Sequence, residues 1–333
     1  MKPFALVHPT SVDEAVTQLP AEHDELGMPK TKVLAGGQDL VTELKEHLVE
    51  ADTIVDLKRI PGLDKIERTA DGGLTIGALV TLTELEEALA GDGPFAVLRE
   101  AAGSIASPQI RSQGTVGGNL CQRPRCWYYR LEDAKCLKKG GDECFSYGGM
   151  NKFNAILGGG PSYIVHPSDL APALVALGAT IRLASPRGER ALPLGEFFTL
   201  PSEADVLREN VLEADEIVVG LDVPAPAAGT RSTYLKFRER GSYDFALSSA
   251  ALCVTLSGNT IDSARLVLGG VAPIPWRCTS TEELVAGKPM DQATWKAAAE
   301  DALSDADPLE QNEFKVPLTQ GVIRRAFESL TEA

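Results

Sequence analysis

Four cysteines, Cys121, Cys126, Cys136 and Cys144, fall within 24 residues of a chain that has six. In a reducing compartment, thiols gathered this closely suit a metal or redox centre more than disulfides. Their spacing, C-x4-C-x9-C-x7-C, lacks the paired C-x2-C knuckles common in structural zinc sites. Immediately before them stands the turn "GTVGGN", Gly114 to Asn119, and an earlier turn, "AGGQD", runs from Ala35 to Asp39. Glycine lets backbone amides come close to a ligand and adopt positive φ without steric cost. Amides bared at the start of a helix suit a pyrophosphate. Neither turn is the G-x-G-x-x-G fingerprint, so a Rossmann nucleotide site is not indicated, and a plain tight turn is the alternative for each. Asp169, in "HPSDLAPAL", either caps the helix that follows or accepts hydrogen bonds from sugar-like hydroxyls. Cys253 and Cys278 stand in apolar surroundings, and Cys253 reads as a small buried hydrophobe. With four histidines and no Ser-His-Asp or paired-carboxylate constellation, no acid–base or nucleophilic residue is assigned.

The elements that must carry these residues follow from periodicity and caps. "SVDE" is a capping box, Ser11 with Glu14, opening a helix through Leu19. "KVLAGGQDLVTELKEHL" reads as a strand, a Gly-Gly turn and a helix over about Gln38–Leu48. "TIVDLKRI" then completes a βαβ unit. A second box, Thr81 with Glu84, opens another helix. "FAVLREAAGSIA" fits a helix that stops near Pro108. After the cysteines come a turn, an apolar helix and strands through "EADEIVVGLDVP". "PAPAAG", Pro224 to Gly229, is the best linker candidate. Beyond it lie the strands of "STYLKFRER", "FALSSAALCVTL" and "SARLVLGGV", then helices over about Asp291–Ala302 and Gln320–Leu330. The fold class is α+β with a boundary near residue 227.

The 333 residues are enough for two or three domains, with 44% apolar and 24% charged residues as in ordinary globular proteins. A formal net charge of -15 argues against nucleic acid or an anionic membrane as a partner. No apolar run reaches the roughly 18 residues of a membrane-spanning helix. The start lacks the apolar core of a secretory signal, so a cytoplasmic location is expected unless a partner carries an export signal for both.

Taken in order, "FALVHPTSVDEAV", "LAGGQDLV", "IVDLKRIPGL", "LTIGALVTLTEL", "ASPQIRSQGTVGGNL", "HPSDLAPALVALGA", "YLKFRERGSYDFALSSAA" and "LVLGGVAPIPWR" resemble the FAD-binding medium subunit of the molybdenum hydroxylases. That family includes flavin parts of xanthine dehydrogenase, carbon monoxide dehydrogenase and aldehyde oxidoreductases. The resemblance covers nearly the whole chain. It implies a PCMH-type FAD-binding domain over 1–226, with subdomains of about 1–58 and 59–226. A C-terminal α+β domain of the CO dehydrogenase flavoprotein type would cover 227–333. Ala35, Gly36, Gly37, Gln38, Asp39 and Leu40 match the first loop around the FAD pyrophosphate, with Gln38 in place of the usual threonine or histidine. Thr115, Val116, Gly117, Gly118 and Asn119 match the second. Asp169 matches the aspartate that binds the flavin's sugar-alcohol chain. Val218 and Lys236 match positions near the adenine and the isoalloxazine.

Ordinary members pass almost directly from "GGN" to "SDL", whereas Leu120 to His166 intervene here. This insert resembles that of hydroxybenzoyl-CoA reductases, which carries a [4Fe–4S] cluster needing four ligands. Cys126, Cys136 and Cys144 match three of them. Ser162 stands where some relatives place the fourth, and Cys121 is the substitute candidate. An emptied loop, or zinc or another metal, are the alternatives. Trp127, Tyr128 and Tyr129 read chiefly as packing for an insert with little core of its own. The implied function is electron transfer through FAD in a complex with a molybdenum-cofactor large subunit and a [2Fe–2S] small subunit. The rivals are a free-standing FAD oxidoreductase and a flavin-free scaffold with a metal-stapled loop.

Overall fold

The strand, glycine turn, helix and strand expected near the N-terminus form a parallel sheet. Its strands are β1 (Ala5–Val7), β2 (Thr31–Leu34) and β3 (Thr53–Asp56), in the order β1-β3-β2. The computed structural model of the chain describes residues 1–19, 28–91, 93–241 and 243–331. The helix Leu40–Lys45 crosses between β2 and β3. It is shorter than expected, and His47, at φ 57°, lies in a left-handed conformation just beyond its end. Ser11 caps the helix Val12–Thr17 as expected, but the Glu14 carboxylate takes the amide of Thr10 rather than that of Ser11.

An antiparallel sheet follows, built from β4 (Ile66–Arg68), β5 (Leu74–Gly77), β6 (Thr180–Ser185), β7 (Gly188–Pro193) and β8 (Ile217–Val223). The strand order is β4-β5-β8-β6-β7. Both arms of the Thr81–Glu84 capping box are made, at 3.2 and 2.9 Å. Every residue of the helix Leu170–Ala176 is buried, in a core with Ile76, Leu85, Leu98 and Leu221. Each large apolar side chain buried this way contributes about 1.5–3 kcal/mol against leaving it in water.

The third sheet is antiparallel, with β9 (Thr230–Phe237), β10 (Ser248–Ser257), β11 (Thr260–Gly269) and β12 (Trp276–Arg277) in the order β12-β11-β10-β9. The helices Gln292–Asp301 and Lys315–Ser329 close its core. The second of these begins five residues before the expected Gln320. Pro317 reads as a breaker, yet it sits in the first turn, where a missing N–H costs nothing. The mixed helix and sheet content is that of an α+β fold.

Candidate functional site

The two glycine turns, far apart in sequence, meet in space. A Cβ built on Gly36 would lie 1.9 Å from the Gln113 carbonyl oxygen, so only glycine allows the two backbones to touch. Gly37, at φ 74°, makes the left-handed turn into the next helix. Among the described residues, the amides of Gly36, Gly37 and Gln38 donate to no protein acceptor. The second turn is laid against the segment after β5, with Val116 N–H on Val80 O and Gly117 N–H on Ala78 O, both 2.9 Å. Thr115 caps the short helix Val116–Leu120 through the amide of Gly118 at 3.2 Å.

Between the turns opens a cavity of about 610 Å³, within the range of small-molecule and cofactor sites. Ala35 to Asp39, Leu40, Thr115, Gly117, Gly118, Asn119, Asp169, Val218 and Lys236 all line it. Val116 does not: its side chain is buried in the core, and its amide is spent on Val80. As the apolar residue of the turn, it anchors the wall.

Asp169 is buried and does not cap its helix; the Ser168 hydroxyl accepts from Ala171 N–H at 3.0 Å instead. Its carboxylate receives the Tyr234 hydroxyl at 2.5 Å on one oxygen and the Lys236 ammonium at 2.8 Å on the other. Burial, and then the neighbouring carboxylate, hold the Tyr234 hydroxyl well above its ordinary range, so it stays a donor. Tyr234 is absent from the sequence reading. Its signal is the period of two that puts it on the same face of β9 as Lys236. Asn119 joins this side to the glycine turn by accepting from the Ser168 hydroxyl at 2.5 Å.

The cysteine insert covers the first glycine turn through three arginines. Asp39 takes Arg130 at 2.8 Å and Arg125 at 2.9 Å on one oxygen, and the amide of Arg123 at 2.7 Å on the other. Glu43, one helical turn on, is buried and accepts from the Tyr129 hydroxyl at 3.0 Å. Burial, with Asp39 adding, raises its carboxyl above the usual range. Arg123 also pairs with buried Glu209 at 2.7 Å, and Lys138 meets the same carboxylate at 2.5 Å. Trp127 packs on Phe153 and Tyr128 on Phe145, while Tyr129 lies against Arg123 and Arg130. These contacts fit the packing role expected of at least two of the three aromatics, Trp127 being half exposed.

The four cysteines are not gathered as a ligand set. Among the described residues, no three His, Cys, Asp or Glu side chains are placed to hold a metal ion. Cys121 lines the cavity, and burial pushes its thiol up to about 12. Burial raises Cys136 as well, with Cys126 and Cys144 near enough to add to the shift. Cys126 and Cys144 are occupied by Asn154 at 3.8 Å and the Ser146 hydroxyl at 3.0 Å. Ser162 is buried.

Residues 2–226 match the family model described as the FAD binding domain in molybdopterin dehydrogenase. The chain belongs to this family. Residues 232–330 match the C-terminal domain of the CO dehydrogenase flavoprotein. Among curated relatives, the aldehyde oxidoreductase FAD-binding subunit PaoB of Escherichia coli K12 is 35% identical, over 88% of this chain and 89% of its own. The carbon monoxide dehydrogenase medium chain of Hydrogenophaga pseudoflava is 29% identical, over 96% and 94%. A solved carbon monoxide dehydrogenase from the same organism, lacking the Mo-pyranopterin moiety of its cofactor, superposes with a TM-score of 0.77 at 26% identity, covering 100% of this chain and 99% of the other. The chain is thus an FAD-binding medium subunit of the molybdenum hydroxylase family, an oxidoreductase component. Among the described residues, no helix is long and apolar enough to cross a membrane.

Proposed function

We propose that this chain carries electrons through FAD within a cytoplasmic complex. In that complex a molybdenum-cofactor large subunit oxidises the substrate, and a [2Fe–2S] small subunit feeds the flavin. The observation that carries the reading is the cavity itself: two glycine turns in backbone contact at one end, and a buried Lys236–Asp169–Tyr234 network on its wall. When bound, FAD exchanges electrons with one-electron carriers and delivers them in pairs to an acceptor. The chain's own residues position it. The free amides of Gly36, Gly37 and Gln38 would hold the pyrophosphate, and the second turn, its amides from Val116 to Asn119 spent within the protein, would face it as the opposite wall. Asp169, fixed by two donors, retains lone pairs for sugar-alcohol hydroxyls. Lys236 sets positive charge beside the isoalloxazine position, and Val218 offers apolar surface for the adenine. We place the division between the FAD-binding part and the C-terminal domain at 226/227, in the stretch between β8 and β9.

The insert resembles one that carries a [4Fe–4S] cluster, and Cys126, Cys136 and Cys144 are the thiols such a cluster would use. The quartet with Cys121 does not fit the arrangement of side chains, so no step is assigned to iron. The test is anaerobic co-expression with candidate partner subunits, then an absorption spectrum with flavin, iron and sulfide measured per chain. Stoichiometric FAD in a complex of three subunits is expected. A chain that takes up no flavin even from added FAD overturns the reading, and a flavin-loaded chain that never associates points to a free-standing enzyme.

A further inference from the structure

We propose that Arg125, supplied by the cysteine insert, is a cofactor-binding residue that pairs with the pyrophosphate of the bound dinucleotide. The inference rests on the flavin reading above and assigns the insert a part in it. Among the described residues, five Lys and Arg side chains line the cavity: Lys32, Arg123, Arg125, Arg208 and Lys236. Arg123 is committed to Glu209 and the Leu207 carbonyl, Arg208 to the Leu212 carbonyl, and Lys236 to Asp169. Lys32 has a partner of its own.

Arg125 differs because the carboxylate it touches does not need it. Asp39 already holds Arg130 on the oxygen that Arg125 shares, and the Arg123 amide on the other. Turning Arg125 away leaves Asp39 with a charged partner and a backbone donor. Arg125 also donates to the Gln122 side chain at 3.2 Å, and its Nε is buried with no acceptor. The guanidinium rests on the Phe245 ring, 5.0 Å from the centroid, which supports the planar group without consuming a donor. Arg125 stands where the main cavity meets a second one of about 360 Å³, and it lines both. A pyrophosphate brings two negative charges into a pocket whose glycine amides are neutral dipoles. Charge-assisted, forked hydrogen bonding from a guanidinium answers that charge.

The experiment is a titration of the flavin-free full-length chain with FAD, followed by flavin fluorescence over a series of KCl concentrations. R125A is expected to raise the dissociation constant by about tenfold to a hundredfold, the loss typical of a charged hydrogen bond. Its salt dependence should flatten, because one ionic contact is gone. R125K should recover part of the affinity, since it keeps the charge but not the fork. Should R125A fail to fold by circular dichroism, R125Q carries the same test with a donor left for Asp39. Wild-type affinity and salt dependence in a folded variant would overturn the inference while leaving the flavin reading intact. A wild-type chain that binds no FAD would overturn the flavin reading, and the inference with it.

Discussion

The cavity has two walls built on opposite principles. The glycine-turn wall is fixed main chain to main chain, by amides on the Ala78 and Val80 carbonyls and by Gly36 against Gln113. The cysteine insert has little regular structure beyond the single turns Trp127–Arg130 and Leu137–Lys139. It is held by side chains, namely Arg130 on Asp39, Tyr129 on Glu43, and Arg123 with Lys138 on Glu209. A backbone wall is indifferent to charge but has no room for a Cβ. A side-chain wall has the reverse weakness.

The largest effect should therefore come from deleting a charge in the insert's anchor. Glu209 is buried and neutralises both Arg123 and Lys138, whose own side chain is 2% exposed. E209A leaves buried positive charge without a carboxylate and should cost about 3–5 kcal/mol of stability, read from urea unfolding. A loss below about 1 kcal/mol would mean that the insert is not held by this pair. On the other wall, G36A forces a methyl into the Gln113 carbonyl, and rigid backbone cannot swing aside as a side chain would. About 3 kcal/mol, the upper end for overpacking, is expected, together with loss of bound flavin. G118A makes the control, since its Cβ would meet only the Thr115 hydroxyl, at 3.0 Å. Equal costs for the two glycine variants would break the contrast between the walls.

The same contrast explains what could be read from the sequence. Glycine turns, capping boxes and strand periods are local signals, so the βαβ unit, Thr81 with Glu84, and the strands from β8 to β11 stand close to where they were expected. β1 is three residues long and has too short a pattern to register. Asp169 was legible as a residue of interest, but not its choice between cap and network, because Tyr234 and Lys236 lie some 65 residues away. The insert was least legible. Its cysteines dominate the eye, while its anchoring depends on long-range ion pairs such as Arg130 with Asp39, which have no periodicity to betray them. Cys121, the substitute candidate beside the glycine turn, lines the cavity.

His166 joins the two walls, closing the insert just before Ser168 and Asp169, and it sharpens the contrast through pH. Its ring packs edge-on against Phe198 at 4.7 Å, its Nε2 is buried without a partner, and its Nδ1 faces the Ser168 amide at 3.4 Å. Burial, opposed in part by Glu209 and by the Leu120 main chain and reinforced by Lys138, pushes its pKa down to about 4 from 6.5. The folded chain therefore refuses a proton that the unfolded chain accepts. Stability is unaffected above about pH 6.5 and falls as the pH drops from there toward 4, by about 1.4 kcal/mol per unit. At pH 5 this amounts to about 2 kcal/mol. H166Q, which cannot titrate, should remove that share of the acid sensitivity while keeping a polar group beside Ser168. The check is the difference in unfolding free energy between pH 7 and pH 5 for the two proteins. If the variant loses as much as the wild type, the buried imidazole of His166 is not what makes the fold acid-sensitive, and the pH contrast between the walls fails.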